Sequence, residues 1–295
     1  MNWNLRSLVI FPIHLFVQLF NMGFWGTLVI LCGIIRFVVP IKSIGSVLLR
    51  VMHRMYFSFG IISVALIKLF NRIEIKVDID KPLSKQKWYL ITANHSSYLD
   101  IIILINFCAP RIPPPKFFLK KELIWTPFVG LAAWAMDMPF MQRYSKEFIE
   151  KNPHLKGKDI ETTKQSCSKY VDSPTTVINF VEGTRFTQEK RVVTKSPFSY
   201  LLRPKAGGIA FTLAVMGDLF SHILDVSIAY PNAKHPMVDM LKGELTEIII
   251  DVRRLDVADN IIGDYFDDAG FRSQFQRWLN ELWTSKDARM RSWMS

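Results

Sequence analysis

Residues 88–108 read WYLITANHSSYLDIIILINFC, and this stretch decides the architecture. Trp88–Ala93 is a short uncharged run of the kind that forms a buried strand. Leu99–Cys108 is an apolar run long enough for a helix. Between them lies Asn94-His95-Ser96-Ser97, where Ser96 or Ser97 can cap a helix that starts near Tyr98. Strand, turn and helix in that order open an α/β unit. Five residues apart on one continuous helix, His95 and Asp100 would sit about 140° from each other. With the chain turning between them they can meet as a base and its orienter. The carboxyl end of a strand is where α/β sheets place their ligand sites.

The same alternation extends in both directions. Arg72–Ile79 alternates Ile, Ile, Val, Ile with charged residues at period two, as a half-buried strand does. Pro110–Pro115 reads as a loop, Phe117–Leu119 as a short strand, and a helix from about Glu122 is interrupted by Pro127. Met138–Gln142 reads as extended, and one helix is expected near Asp159–Val171. Thr176–Val181, Leu224–Tyr230 and Leu245–Val252 are further strands, and Gly207–Met216 is a helix between them. The fold class is therefore α/β: a mixed, largely parallel central sheet flanked by helices. Phe271, Phe275, Trp278, Leu279, Leu282 and Trp283 recur at helical spacing near the end of the chain. That helix favours docking on the sheet over insertion at a lipid surface. Residues 1–70, 71–255 and 256–295 then form an apolar anchoring segment, an α/β domain and a C-terminal amphipathic helical region.

The chain has 295 residues and a net charge of +11. Residues 1–73 hold seven basic side chains and no acid, and this quarter is also the most apolar. Nothing between Arg6 and Arg36 is charged, nor anything from Met55 to Ile67. A basic segment that is also apolar points to an anionic membrane rather than to nucleic acid. Asn21, Gly23 and Gly26 interrupt the first apolar run, and His14 lies in its first half. The run admits one tilted span or two short helices within one leaflet. Two full spans, near 8–35 and 55–70, are less attractive. They put Arg36, Lys42, Arg50 and Arg54 on the side opposite a cytoplasmic main domain. Three cysteines without short spacing leave no disulfide framework and no cysteine zinc site.

Two more elements carry chemistry. Glu182-Gly183-Thr184-Arg185 follows a buried strand, with Gly183 suited to a tight turn and Arg185 to a carboxylate or phosphate. Lys120, Leu123, Gly130 and Arg143 are separated by two, six and twelve residues. Lys120 and Arg143 each flank an extended piece, so both can reach one anion.

In this order the three elements resemble the motifs of the lysophosphatidic acid acyltransferase (PlsC-type) glycerolipid acyltransferase family. These are His-x4-Asp (His95, Asp100), Lys-x2-Leu-x6-Gly-x12-Arg (Lys120, Leu123, Gly130, Arg143) and Glu-Gly-Thr-Arg (Glu182–Arg185). A fourth, looser motif, an apolar strand ending near a proline, is met imperfectly by Val226–Pro231. The strings Asp137–Met141 and Glu182–Thr187 look closest to a YihG-like bacterial branch. The resemblance implies a membrane-bound enzyme that moves an acyl group from acyl-CoA or acyl-carrier protein to a lysophospholipid hydroxyl. Lysophosphatidic acid is the first choice of acceptor, with lysophosphatidylglycerol or lysocardiolipin as alternatives. His95 is then the general base and Asp100 its orienter. Arg143 and Arg185, assisted by Lys120, hold the phosphate, while Glu182 orders Arg185 or meets the glycerol, and Gly183 and Thr184 line the same site. No metal and no tightly bound cofactor is implied, and no nucleic acid. Acyl-carrier protein is a possible partner. If the source is bacterial, the catalytic domain faces the cytoplasm at the inner membrane. A thioesterase using the same dyad on water is the competing enzyme, and a non-catalytic membrane-binding scaffold is the competing class.

Overall fold

The computed structural model describes residues 4–141 and 167–294. Two long helices come first, α1 (Leu5–Val38) and α2 (Lys42–Phe70), paired as an antiparallel hairpin. Asn4 caps α1: its side chain accepts from the Ser7 amide at 2.7 Å, and Ser7 Oγ accepts from the Asn4 amide at 3.0 Å. Neither Pro12 nor the Asn21–Gly26 interruption breaks the helix. Asn21 Nδ2 donates across to Phe59 O at 3.2 Å and Ser63 Oγ at 2.9 Å on α2, and His14 Nδ1 bonds Met240 O at 3.1 Å. The polar residues of α1 thus form its inner face, while Phe16, Phe20, Phe37 and many other apolar side chains point outward. Both helices are long and apolar enough to cross a membrane. The first apolar run is thus one continuous helix and not two short ones. The segment is two continuous helices, and the second begins at Lys42 rather than near residue 55. Arg36, grouped by sequence with the anchoring charges, instead pairs with Asp137 at 2.7 Å.

The main sheet has six strands: β1 (Glu74–Ile79), β2 (Tyr89–Ala93), β3 (Pro115–Phe117), β6 (Thr176–Phe180), β7 (His222–Ala229) and β8 (Glu247–Asp256). Their spatial order is β1-β8-β7-β2-β6-β3. All neighbours are parallel except β7 and β8, giving a mixed sheet. A separate parallel pair, β4 (Leu119–Lys120) with β5 (Phe140–Met141), lies beyond β3 in sequence. β2 is central and fully buried, which is why it reads as a continuous apolar run.

Alternation along the strands sorts side chains to two faces. Tyr89, Ile91, Val226 and Ile250 belong to the core shared with α3 (Leu99–Arg111) and the end of α2. Leu90, Ile223 and Ala229 belong to the core under α6 (Ala206–Met216) and the C-terminal helix α8 (Ala269–Met294). Phe275, Leu279, Trp283 and Met290 of α8 are buried there, so this helix docks on the sheet. Its Lys286 is fully buried too. Lys286 Nζ donates to Thr92 O at 3.2 Å and Val226 O at 2.5 Å, and pairs with Asp225 at 2.8 Å. Arg289 binds Asp225 at 2.6 Å and contacts Asp251 at 2.9 Å. Burial draws the Lys286 ammonium below its usual pKa, opposed by Asp225.

A third core joins α1, α2 and α3 to α4 (Val129–Ala135). Several boundaries differ from the sequence reading. α3 continues to Arg111 before the proline-rich turn, because Pro110 sits in its last turn. Two short helices, α5 (Gln188–Val193) and α7 (Pro236–Leu241), were not anticipated. The helix expected near Asp159–Val171 falls mostly outside the described residues, with Ser168–Tyr170 forming one 3-10 turn.

Candidate active site

The chain leaves β2 at Ala93 and reverses at once. Asn94 staples the strand end to β7, donating to Ile228 O at 2.9 Å and accepting from Ile228 N at 2.8 Å. Five residues after Asn94, α3 begins at Leu99, carrying Asp100 in its first turn. This turn brings His95 Nδ1 to 2.8 Å from Asp100 Oδ2. The same carboxylate oxygen accepts the amides of Ser96 at 2.7 Å and Ser97 at 2.9 Å. Its other oxygen accepts the Tyr230 hydroxyl. Asp100 is fully buried, and its oxygens are engaged by the Ser96 and Ser97 amides, the Tyr230 hydroxyl and the His95 ring. An ionised carboxylate only accepts, so Nδ1 of His95 carries the proton and Nε2 the lone pair. The imidazole stacks on Phe180, with ring centroids 4.0 Å apart, and its side chain stays 14% exposed. Asp100 therefore fixes one edge of the base, and the side chain keeps part of its surface exposed.

Glu182 has a different task from the one expected. It is 1% exposed, and its oxygens accept from His95 N at 3.1 Å and Leu202 N at 2.9 Å. Ordering Arg185 or meeting a glycerol hydroxyl does not fit a carboxyl buried in this way. It ties the turn that bears His95 to the segment before α6. Burial pushes its pKa up to about 8, against the pull of the two amides and of Lys286.

The rest of that motif shapes the rim. Gly183 has φ +66°, a left-handed conformation that favours glycine, and its amide donates back to Phe180 O at 2.9 Å. Phe186 N donates to His95 O at 2.6 Å, laying the loop over the dyad. Lys190 Nζ donates to Thr184 Oγ1 at 2.7 Å and Arg185 O at 3.0 Å. The Arg185 guanidinium lies 3.6 Å above the Tyr98 ring. A cavity of about 660 Å³ opens beside these groups, reaching Ser96, Ser97, Tyr98, Arg185 and Tyr230.

The Lys-x2-Leu-x6-Gly segment builds a ledge. Lys120 closes β4, and a 3-10 turn (Lys121–Trp125) leads to α4. A Cβ on Gly130 would stand 2.1 Å from Ile124 O, so only glycine lets the turn close. Trp125, Phe128 and Leu131 stand exposed on the ledge beside α1, where Trp134 meets Phe37 edge-on at 5.9 Å. Leu123 is also exposed there, and Arg143 lies outside the described residues. The structure thus brings His95, Asp100, Glu182, Gly183, Thr184 and Arg185 together around one turn. Tyr230, the fourth donor to Asp100, was not singled out by sequence. Its signal was its place at the end of the strand that β2 pairs with.

A family model described as Acyltransferase matches residues 74–230, more than half of the chain. The chain belongs to the acyltransferase family. Among curated proteins it is similar to human 1-acyl-sn-glycerol-3-phosphate acyltransferase gamma, at 23% identity over 212 residues, covering 68% of this chain and 51% of that protein. It is also similar to 1-acyl-sn-glycerol-3-phosphate acyltransferase 3 of Arabidopsis thaliana, at 24% identity over 240 residues, covering 76% and 58%. The third is 2-acyl-1-lysophosphatidylinositol acyltransferase of Saccharomyces cerevisiae, at 23% identity over 246 residues, covering 68% and 60%. The chain spans about half to three-fifths of the length of these relatives. Its fold is that of the crystal structure of the 1-acyl-sn-glycerophosphate (LPA) acyltransferase PlsC from Thermotoga maritima. The TM-score is 0.55 and the identity 17%, over 94% of this chain and 96% of that one.

Proposed function

We propose that this acyltransferase moves a fatty acyl group from a thioester to the free hydroxyl of a lysophospholipid, with lysophosphatidic acid as acceptor and phosphatidic acid as product. The observation that carries the reading is the His95 Nδ1–Asp100 Oδ2 bond of 2.8 Å, with Asp100 locked by three further donors. A glycerol hydroxyl is a poor nucleophile until a base takes its proton. Nε2 of His95 takes it as the oxygen attacks the thioester carbonyl. Asp100 stabilises the imidazolium that forms and stays ionised. When the carbon–sulfur bond breaks, the imidazolium returns the proton to the departing thiolate. The products are an ester and a thiol, without an acyl-enzyme, a metal or a bound cofactor.

Arg185, flat on Tyr98 at the rim, contacts the acceptor phosphate, joined through the sequence motif by Lys120 and Arg143. The outward apolar face of α1 and the Trp125–Leu131 ledge hold the domain at an anionic membrane, on the cytoplasmic side if the source is bacterial. The names of the relatives support a lysophospholipid acceptor.

The test offers the detergent-purified protein lysophosphatidic acid, lysophosphatidylglycerol and lysocardiolipin in parallel, each with acyl-CoA and acyl-carrier protein. Diacyl product that depends on lysophosphatidic acid is expected. Free fatty acid released at the same rate with or without acceptor would make the protein a thioesterase instead.

A further inference from the structure

The cavity beside the dyad is walled by elements other than those that carry the exposed apolar surface. Its walls come from the Ser96–Tyr98 turn, the Arg185–Lys190 segment, Tyr200, the end of β7, residues 233–238 and the tip of α8. None of its lining residues belongs to α1, α2 or α4. The apolar outer surface lies on those helices instead. The imidazole of His95 stacks on Phe180, which continues to Phe117 of β3 at 6.2 Å. The dyad therefore stands between an aromatic side and a separate groove.

The groove is chemically graded. Its floor is apolar, with Ile228, Met237 and Met290. Its rim carries two cations, Lys190 and Lys234, against a single carboxylate, Glu189, while Arg185, given above to the acceptor phosphate, closes the inner end where the two substrates meet. Arg185 is pinned on Tyr98 at the inner end and Lys190 is held by Thr184. Lys234 is exposed and makes no ion pair with the acids of the described residues. At the inner end lie Ser96, Ser97 and Tyr230, the three residues that share Asp100 with His95. A volume of about 660 Å³ suits an extended small-molecule arm.

We propose that this groove binds the phosphopantetheine arm of the acyl donor, thioester at the dyad and phosphate at Lys234. The assignment rests on the acyl-transfer reading above and gives the two substrates separate entrances. The lipid acceptor comes from the α1–α4 side, and the water-soluble donor from the α5–α7 side. The arm is shared by coenzyme A and by acyl-carrier protein, and its amides and terminal phosphate match a groove with an apolar floor and a cationic rim.

The experiment measures equilibrium binding of coenzyme A, and of phosphopantetheine lacking the nucleotide, to the full chain in detergent. Lys234→Ala is expected to weaken both by about tenfold. Met237→Trp, which fills the floor, is expected to do the same. In transfer assays Lys234→Ala should raise the KM for acyl-CoA by about tenfold. The KM for lysophosphatidic acid, and activity with an acyl N-acetylcysteamine thioester that has no phosphate, should stay within about twofold. Unchanged coenzyme A affinity in both variants overturns the assignment. So does phosphopantetheine that fails to bind, or a rise in the lysolipid KM instead. Coenzyme A binding that responds to Lys234, in a protein that makes no diacyl product, sinks the acyl-transfer reading and leaves the groove standing.

Discussion

Two buried polar clusters hang on the same central strand, and they differ in one respect. Around Lys286, every charge faces another: Asp225 is clasped by Lys286 and Arg289, and Asp251 by Arg253 and Arg289. Around Asp100 every donor also points inward, but the His95 side chain stays partly exposed. Thr92, whose carbonyl accepts from Lys286, is three residues from His95. A closed cluster fixes where a helix sits on a sheet, whereas an open one can accept a proton from outside. This contrast predicts that activity and stability separate between the two.

The largest effect is on the open cluster. His95→Ala should lower acyl transfer by roughly 10²–10⁴-fold. The melting temperature should stay within about 2 °C, because the lost side chain is partly exposed and Asp100 keeps three donors. A large fall in Tm with little loss of rate would erase the contrast. On the closed cluster, Lys286→Ala removes one of the two cations on a buried carboxylate, and should destabilise the fold by about 3 kcal/mol in denaturant titration. Transfer per folded molecule should change little.

Glu182 lies between the clusters and sharpens the comparison through pH. Its pKa is raised in the folded state to about 8, so the folded protein binds more protons than the unfolded chain above the usual carboxyl range. Its contribution to stability is complete at low pH and is lost as pH rises toward 8. Stability should decline by up to about 1.4 kcal/mol per pH unit over that interval. In Glu182→Gln this part of the slope should vanish, and a slope that persists there would place its origin in another group. The smallest effect is Tyr230→Phe, which removes one of four donors to Asp100 and should slow transfer about fivefold. No change in rate would mean that the remaining three donors orient the dyad unaided.

The motifs were legible because their members are close in sequence. His95 and Asp100 share one strand–turn–helix, and Glu182–Arg185 is a single loop. The alternation of strands and helices also gave the sheet, though strand order and the antiparallel β7–β8 pair depend on long-range packing that local pattern does not encode. The Lys286 cluster was illegible for the same reason: Asp225 and Lys286 are 61 residues apart and look like ordinary surface charges. Helices α5 and α7 have six residues each, too few for an apolar period to show. The first helix misled in a more instructive way. Ser7, His14 and Asn21 recur every seven residues and so share one face, the face buried against α2 and α7. What looked like interruptions of an apolar run are the inner stripe of a helix turned inside out. Glu182 misled because a carboxylate beside an arginine in sequence suggests a pair, whereas the turn sends it inward to two amides.

One paired measurement tests the account most directly: formation of phosphatidic acid from acyl-CoA and lysophosphatidic acid by His95→Ala and Lys286→Ala, at low temperature and with the folded fraction of each known. The account predicts that the first variant is folded and nearly silent, and that the second is less stable but active. A folded His95→Ala protein that transfers acyl groups at the wild-type rate would contradict it.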